Sequence, residues 1–418
     1  MNRRIFIKNT AAAALLPYVL NTLAACGTGG AKKGKPILVL IQLVGGNDGL
    51  NTLIPLDNYS KLRDARPNLI IPENKILPIK GQTNLGLHPA MPEIQEMFSN
   101  NQIGFIQGVG YENPSYSHFR SSDIWLTGSE ANKVLYTGWM ARYLETKFKN
   151  YPTGFPSATQ PHPPAIKIGD TGTYLFQGGA MDMSIVIDPN MAFEAPEVDA
   201  EEKEMLTMAG REIKTIREIL LQTERYSSVI KAGLAGEMNH SNLYPKQGEN
   251  SLADQLKVVA KLIKNGMDTS VYLVDLKGFD THDAQADPSN PTQGTHADLL
   301  KKLSQAVNCF WDDIVAIGRE DDVMGITFSE FGRRIMSNSG NGTDHGSSQP
   351  IIYFGNAVRN PIIGHNPVIP NNLSHTDNLE MQYDYRAVFS SMLKSWLGCP
   401  PDVLKAVFGQ EFPEILHL

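Results

Sequence analysis

The sequence has few cysteines, no basic patch and no internal repeat or low-complexity block. It contains three cysteines in 418 residues, and apart from Cys26 only Cys309 and Cys399 remain. Two cysteines this far apart make a weak case for a disulfide even in an oxidising compartment, so we expect two free thiols. The net charge of −7 argues against nucleic acid as a partner. What remains is a globular chain with an ordinary hydrophobic content of 41%.

The chain also lacks a long uninterrupted apolar run, even at its N-terminus. Arg3 and Arg4 are followed by the segment AAAALLPYVLNTLAA, a pattern typical of a twin-arginine export signal. Because this segment is short and is interrupted by Pro17, we do not expect a stable membrane-spanning helix. The sequence therefore predicts a signal peptide over residues 1–25 and export to the periplasm or cell envelope.

The residues LAAC at positions 23–26 resemble a lipobox, at which bacterial lipoproteins are cleaved and lipidated. Lipidation would make Cys26 the first mature residue, followed by a flexible linker over 26–36. Membrane association would then occur through the lipid anchor only. The alternative is a plain signal peptide that ends near a cysteine by chance.

The rest of the chain, residues 37–418, alternates apolar β-branched runs with helical patterns. Continuous apolar runs are typical of strands that are buried on both faces. Strands are predicted at 37–43, 103–109, 165–168, 270–276, 323–328 and 351–354, and helices at 90–98, 139–147, 210–232, 251–264 and 296–318. This alternation predicts an α/β domain with a mostly parallel, doubly wound sheet. Residues 178–249, with long helices and few strands, are interpreted as a helical insertion.

Acidic and histidine residues follow several of these predicted strands. In an open parallel sheet the carboxyl ends of the strands line the ligand crevice. Carboxylate oxygens together with imidazoles are suitable ligands for a divalent metal ion. The candidate metal ligands are Asp48, Asp280, His282, Glu330, Asp344 and His345.

Other interpretations of these residues remain open. Asp48 lies in GGNDGLN, which could form a hairpin turn. Asp280 and His282 could belong to a charged surface loop. Glu330 directly follows a buried strand, where an acidic group is costly unless it is compensated. It could therefore pair with Arg333 or Arg334 instead of a metal ion.

The segment NPSYSHFRSSDIW, residues 113–125, offers catalytic candidates. Ser117 could be a nucleophile near a metal ion, with Ser115 as a second possibility. His118 could be a ligand or a proton donor, and Arg120 could hold an anionic group through its guanidinium fork. The alternative is an ordinary helix start with Ser117 as the N-cap.

The order of GGNDGLNT, SHFRSSDIW, GFDTH, FSEFGRR, DHG and DYRAVFSSMLKSWLG resembles a family of exported bacterial proteins known as domain of unknown function 1501. That family is similar to the alkaline phosphatase and sulfatase superfamily. The resemblance implies a three-layer α/β/α sandwich and usually two adjacent metal ions, one of which carries a Ser, Thr or Cys nucleophile.

By the same resemblance, Asp48 matches an aspartate that bridges to the metal ion carrying the nucleophile. Asp280 and His282 match the ligands of the other ion, and His345 matches the final metal histidine. Glu330 stands where an aspartate of an Asp-His pair is expected. Phe331 occupies the position of the histidine, which removes one ligand from the site that would activate the nucleophile.

The function implied is a metal-dependent hydrolase of phosphate or sulfate esters, which would act on a small anionic ester or glycan. The cofactors would be divalent ions, either zinc, calcium or magnesium. Because of Phe331, the alternative is a non-catalytic envelope lipoprotein that binds a metal ion or an anionic glycan.

Export and anchoring can be tested by substitution in the signal region. We expect Arg3→Lys combined with Arg4→Lys to block export, because the export machinery recognises the twin-arginine pair. Cys26→Ala should move the protein from the membrane fraction to the soluble fraction. Cell fractionation followed by mass analysis of the N-terminus measures both. A Cys26→Ala protein that stays in the membrane fraction with an unmodified N-terminus would refute the lipid anchor.

Overall fold

A computed structural model describes residues 34–189, 208–236 and 239–418, with side chains omitted for 208–219. The signal peptide, Cys26 and most of the predicted linker lie outside the described residues. Residues 35–418 form one compact unit. Within the described ranges no helix is long and apolar enough to cross a membrane. Cys309 and Cys399 are buried free thiols, as predicted.

The strands occur where the apolar runs predicted them, and additional short strands either join the main sheet or form two small separate sheets. They are β1 (Ile37–Val44), β2 (Leu53–Pro55), β3 (Leu77–Ile79), β4 (Gln82–Leu87), β5 (Ile103–Gly110), β6 (Ala165–Ile168), β7 (Ser184–Ile187), β8 (Val271–Lys277), β9 (Val323–Phe328), β10 (Arg333–Ser337), β11 (Thr343–His345), β12 (Gln349–Gly355), β13 (Ile362–Ile363) and β14 (Tyr383–Asp384).

The five predicted helices are all present, each within two residues of its predicted bounds, and further helices accompany them. The helices are α1 (Gly49–Thr52), α2 (Tyr59–Ala65), α3 (Pro92–Ser99), α4 (His118–Thr127), α5 (Trp139–Lys147), α6 (Met208–Leu234), α7 (Ser251–Lys264), α8 (Thr295–Ala316), α9 (Tyr385–Ser391) and α10 (Pro401–Phe408).

The main sheet has the order β13-β5-β12-β9-β1-β8-β6-β7, and β14 also pairs with β5. The two small separate sheets are β2-β4-β3 and β10-β11. β1 lies in the middle, parallel to β8 on one side and to β9 on the other. β12 runs antiparallel to both β9 and β5. The predicted mostly parallel sheet is therefore confirmed. Within 178–249, where few strands were predicted, β7 extends this sheet by pairing parallel to β6.

Helices cover both faces of the sheet, as the contacts of residues in β9 and in the neighbouring strand β12 show. Phe328 stacks on Trp125 of α4, with ring centroids 6.2 Å apart. On the opposite face the ring of Phe354 lies over Gly325, where a Cβ atom would come within 2.0 Å of it. That ring also contacts Phe310 of α8 edge-on. Successive residues of a strand point to opposite faces of the sheet, so Phe328 and Gly325 of β9 mark opposite faces. A helix covers each face, and the fold is therefore the three-layer α/β/α sandwich.

The carboxyl ends of β1 and β8 come into contact because the two strands are parallel neighbours. β1 ends at Val44 and is followed by Gly45 with a φ of +122°. A Cβ atom on Gly45 would lie 2.3 Å from the main-chain nitrogen of Asp280, in the loop after β8. Only glycine allows both this conformation and this close approach. The two loops therefore pack backbone to backbone.

We expect Gly45→Ala to destabilise the protein far more than Gly81→Ala. Both glycines have positive φ, but a Cβ atom on Gly81 would meet nothing within 4 Å. Gly81→Ala should therefore cost only the left-handed backbone penalty of roughly 1–2 kcal/mol, whereas Gly45→Ala adds a clash with main-chain atoms. Urea unfolding measures both variants. Equal losses of stability would contradict the close packing of the two loops.

Candidate metal centre

Three histidines and an arginine surround the carboxylate of Asp280, three residues beyond the end of β8. The Nε2 atoms of His282 and His345 each lie 3.3 Å from Oδ1, and the Nε2 atom of His118 lies 3.3 Å from Oδ2. The guanidinium of Arg333 donates to Oδ1 at 2.8 Å. Side chains from three separate parts of the chain thus converge on one half-exposed carboxylate.

Each of the three histidines directs its other ring nitrogen, Nδ1, to an oxygen acceptor of the protein. The pairs are His118 with Glu330 Oε1 at 2.9 Å, His282 with Asp344 Oδ1 at 3.2 Å, and His345 with the main-chain oxygen of Tyr116 at 2.6 Å. An oxygen acceptor keeps the proton on Nδ1, which leaves the lone pair on Nε2. Such carboxylate or carbonyl partners are what orient metal-binding histidines.

Two of the imidazoles face each other at hydrogen-bond distance. The Nε2 atoms of His282 and His345 are 2.7 Å apart, and with both protons on Nδ1 two lone pairs would face each other. A proton on one of these nitrogens, or a metal ion bound to them, removes the repulsion. Ligand atoms of His118, Asp280 and His345 all lie within 4.8 Å of one another. These residues, with His282 beside them, could hold a metal ion.

The pKa values of the centre favour an ionised carboxylate. Burial alone would raise the pKa of Asp280, but the hydrogen bond and charge of Arg333, with help from His345 and His118, lower that pKa to about 2. The hydrogen bond to Glu330 raises the pKa of His118. Burial lowers the pKa of His345. Asp280 therefore remains negative at all ordinary pH values.

Glu330 does not contact Asp280, on which the three histidines converge, but lies behind His118. Its buried side chain accepts from the Gly45 nitrogen at 2.9 Å and from the ring of His118. The alternative of an ion pair with Arg333 is not met, because that guanidinium binds Asp280 instead. Glu330 orients His118 in this structure, and its role as a direct ligand stays a prediction.

Asp48 also lies apart from the centre. Its buried carboxylate accepts from Arg66 Nη1 at 2.9 and 2.7 Å and from Gln285 Nε2 at 2.6 Å. Burial would raise the pKa of Asp48, but the charge of Arg66 lowers it. Both oxygens are engaged, and Asp48 is the counterion of a buried arginine in this structure, while its role as a metal ligand stays a prediction. It also precedes the short helix α1, so the hairpin alternative is not met either.

Asp344 lies behind His282, not at the convergence point. Its Oδ1 atom interacts with His282 Nδ1 at 3.2 Å and accepts from Asn338 Nδ2 at 3.1 Å. Burial would raise the pKa of Asp344, but hydrogen bonds from Asn338 and His282 lower it. This carboxylate therefore orients a histidine in this structure, and its role as a direct ligand stays a prediction.

The catalytic candidates of residues 113–125 lie in two different environments. Ser117 is exposed at the N-cap position of α4 without a side-chain capping bond, and it directly precedes His118. Arg120 points elsewhere, since its Nη2 donates to the main-chain oxygens of Glu130 and Ala131 at 3.2 and 3.0 Å. Its guanidinium is engaged by the 130–133 loop in this structure, and its role in holding a substrate anion stays a prediction.

Phe331 and Arg333 shape the centre in ways that the sequence did not predict. The Phe331 ring is buried, with its centroid 4.5 Å from that of His345 and 4.9 Å from that of His118. It forms an apolar wall behind two histidines. The motif FGRR contains both residues, but nothing in it distinguishes the buried Arg333 from the partly exposed Arg334.

A comparison with protein families identifies the chain. The model of the family described as "Protein of unknown function (DUF1501)" matches residues 194–408. The chain belongs to the DUF1501 family. No curated protein matches it in sequence.

Solved structures similar to this DUF1501 protein include three that extend over most of it. The C-terminal periplasmic domain of EcEptC from Escherichia coli is 9% identical, with 92% of this chain and 90% of that chain covered and a TM-score of 0.39. A phosphonate monoester hydrolase from Silicibacter pomeroyi is 10% identical, with coverages of 91% and 77% and a TM-score of 0.37. A protein in the alkaline phosphatase superfamily from Vibrio parahaemolyticus is 11% identical, with coverages of 79% and 62% and a TM-score of 0.35.

Two further histidines, His88 and His296, lie buried near the ends of the same strands. Burial lowers the pKa of His88 to about 3 and that of His296 to about 4. His296 Nε2 contacts Asn47 Oδ1 at 3.0 Å. Both imidazoles are therefore neutral in the folded protein at pH 7.

These two histidines should make the metal-free protein sensitive to acid. In the unfolded chain they bind a proton near pH 6.5, but in the fold only near pH 3–4. Above pH 6.5 both histidines are neutral in the folded and in the unfolded chain, so their burial costs no stability. Below that pH the unfolded chain binds more protons than the folded one, and the free energy of unfolding falls. With a chelator present, His296→Gln should flatten the fall in unfolding free energy between pH 6 and pH 4.5 by up to about 1.4 kcal/mol per pH unit. The exposed His365→Gln is the control, and an unchanged slope for His296→Gln would contradict the neutral burial.

Proposed function

We propose that this DUF1501 protein is an exported metal-dependent hydrolase of phosphate or sulfate esters. One observation carries the proposal: three imidazole Nε2 atoms converge on the ionised carboxylate of Asp280, and each imidazole is fixed from behind by an oxygen acceptor. Such a constellation suits a divalent cation, because imidazole lone pairs and a carboxylate meet at one place.

The donor set favours zinc. Three imidazoles with one carboxylate suit zinc, whereas calcium and magnesium prefer sites built of oxygen atoms. A divalent ion bound there would polarise the ester and neutralise charge on its non-bridging oxygens.

The protein itself would contribute positioning and a nucleophile. Arg333 keeps Asp280 ionised and in place. Glu330 keeps the proton of His118 on Nδ1, so that Nε2 faces the centre. Ser117 presents an exposed hydroxyl one residue before His118, and we propose it as the nucleophile. Phe331 closes one side of the centre with an apolar ring and excludes water there.

The substrate would be a small anionic ester or glycan in the periplasm or cell envelope. This part of the proposal rests on the N-terminal sequence, in which Arg3 and Arg4 precede an apolar segment and Cys26 follows it. A lipid on Cys26 would hold the enzyme at a membrane surface.

A second candidate function is metal or anionic-glycan binding without catalysis. It is favoured by the position of Arg120, whose guanidinium is turned to the 130–133 loop. It is also favoured by Phe331, which packs its ring against two histidines at the centre. A protein of this kind would keep the metal ion but would not turn over an ester.

Asp280→Ala tests the metal centre. We expect elemental analysis to find about one zinc ion per wild-type chain and none in Asp280→Ala, since the variant loses the carboxylate on which the other ligands converge. Hydrolysis of aryl phosphate and aryl sulfate esters should fall to background in the same variant. Asp283→Ala removes an exposed carboxylate three residues away, and it should keep both the metal ion and the activity.

The results distinguish the proposals. A wild-type chain that binds no divalent ion would refute the metal centre itself. A chain that binds zinc but hydrolyses no ester would favour the binding protein. If Ser117→Ala retained the full rate while Asp280→Ala lost it, the nucleophile assignment would be wrong.

A further inference from the structure

The two segments that carry the candidate ligands are joined by one buried amide. Gln285 is 1% exposed, and its Oε1 atom accepts from the hydroxyls of Thr281 at 3.1 Å and Thr343 at 2.6 Å. Thr281 lies between Asp280 and His282, and Thr343 lies two residues before His345. One oxygen atom therefore bridges the two segments, alongside the main-chain bond from the Thr343 nitrogen to the Thr281 oxygen at 3.2 Å.

The orientation of this amide is dictated by Asp48. Gln285 Nε2 donates to Asp48 Oδ2 at 2.6 Å. An ionised carboxylate can only accept hydrogen bonds, so the nitrogen of the amide must face Asp48. The oxygen must then face the two threonines.

Asp48 is in turn fixed by Arg66, which also reaches the strand beside His345. Arg66 Nε donates to the oxygen of Ile335 and its Nη2 to the oxygen of Arg334, both at 2.6 Å. These residues belong to β10, which pairs with β11 at Arg333 and His345. A continuous buried path therefore runs from Arg66 through Asp48 and Gln285 to both ligand segments.

We propose that Gln285 is a positioning residue for the metal centre, which it serves by holding the 280–282 and 343–345 segments at the separation that the metal ion requires. The inference rests on the proposed metal centre. Other bonds keep the two loops attached when this side chain is removed, since the main-chain nitrogens of Gln285 and Ala284 donate to Asn341 and Gly340. The amide side chain is therefore needed for the geometry of the ligands more than for the contact between the loops.

The proposal also gives Asp48 a role that differs from ligation. Asp48 touches neither His282 nor His345 among the contacts of the described residues, yet it determines which end of the Gln285 amide meets Thr281 and Thr343. An acidic residue at the end of β1 would then act on the centre through a hydrogen bond.

The first experiment compares two buried glutamines. Gln285→Leu should weaken zinc binding by roughly 10–100-fold, the usual effect of removing an outer partner of a metal site. Gln255→Leu is the matched control, because Gln255 is also buried and donates to the Asp275 oxygen at 2.8 Å, but does so along β8. Gln255→Leu should lose thermal stability but keep the wild-type Kd for zinc. Zinc Kd values from competition with a chromophoric chelator, and the visible absorption of Co²⁺-loaded protein, measure the effect.

The second experiment uses variants that change little in shape. Thr343→Val removes only a hydroxyl donor and should weaken zinc binding in the same direction as Gln285→Leu. Gln285→Glu should also weaken it, because two carboxylates would then face each other. Combining Gln285→Glu with Asp48→Asn restores one carboxylate opposite one amide, and this pair should recover most of the affinity and the Co²⁺ spectrum.

The outcomes separate this inference from the one on which it rests. If the wild-type chain binds no divalent ion, the metal centre itself is refuted. If the wild-type chain binds zinc and both Gln285→Leu and Thr343→Val bind it equally well, only the positioning role is refuted. The positioning role is also refuted if Gln255→Leu loses as much zinc affinity as Gln285→Leu. It is likewise refuted if Gln285→Glu combined with Asp48→Asn binds zinc no more tightly than Gln285→Glu alone.

Discussion

The architecture around the candidate centre depends on the buried guanidinium of Arg333. A buried cation is tolerated only when its donors are satisfied and its charge is paired. The acceptors of Arg333 are the main-chain oxygens of Gly45, Gly46, Phe279 and Thr343 and the carboxylate of Asp280. One side chain thus ties together the ends of β1 and β8 and the start of β11. Because the planar fork fixes the directions of its donors, it also fixes these three loops relative to one another.

The histidines show how a fold can prepare a site before anything binds there. Each imidazole is held by an acceptor from a different source: a buried carboxylate, a partly exposed carboxylate and a main-chain oxygen. These partners set the tautomers and the ring orientations, so that the free nitrogens face one carboxylate. The pKa values of His118, Asp280 and His345 are all shifted from their ordinary values, which is a common property of functional sites.

Two polar networks lie side by side at this edge of the sheet, one partly exposed and one buried, and they have different roles. One contains Asp280 and the three histidines and offers lone pairs to a cation. The other contains Asp48, Arg66 and Gln285 and is internally neutral, since its one negative charge is paired with its one positive charge. Gln285 connects the second network to the first through the two threonines. The centre can therefore be adjusted by residues that never touch a metal ion.

The sequence by itself determined the sheet, its helices and the edge at which the polar residues gather. Runs such as 37–43 and 323–328 are apolar on both faces, and only a strand covered on both sides can bury them. Such strands are parallel neighbours, so the residues that follow them meet. For this reason the positions of Asp280 and His282 after β8 are enough to place them at this edge, whereas His345 lies in β11 of the separate β10–β11 pair and is brought there by the tertiary structure.

The tertiary structure alone decided which of these side chains face each other. Asp48 follows a strand in the same way as Asp280 does, but a buried arginine from α2's end, Arg66, takes its carboxylate. Glu330 was expected at a cation, yet the N-terminus of α4 brings His118 between it and Asp280. The reason is physical: the spacing of residues along a chain fixes the edge of the sheet that they reach, whereas the choice of partner among several charged groups depends on packing between segments distant in sequence.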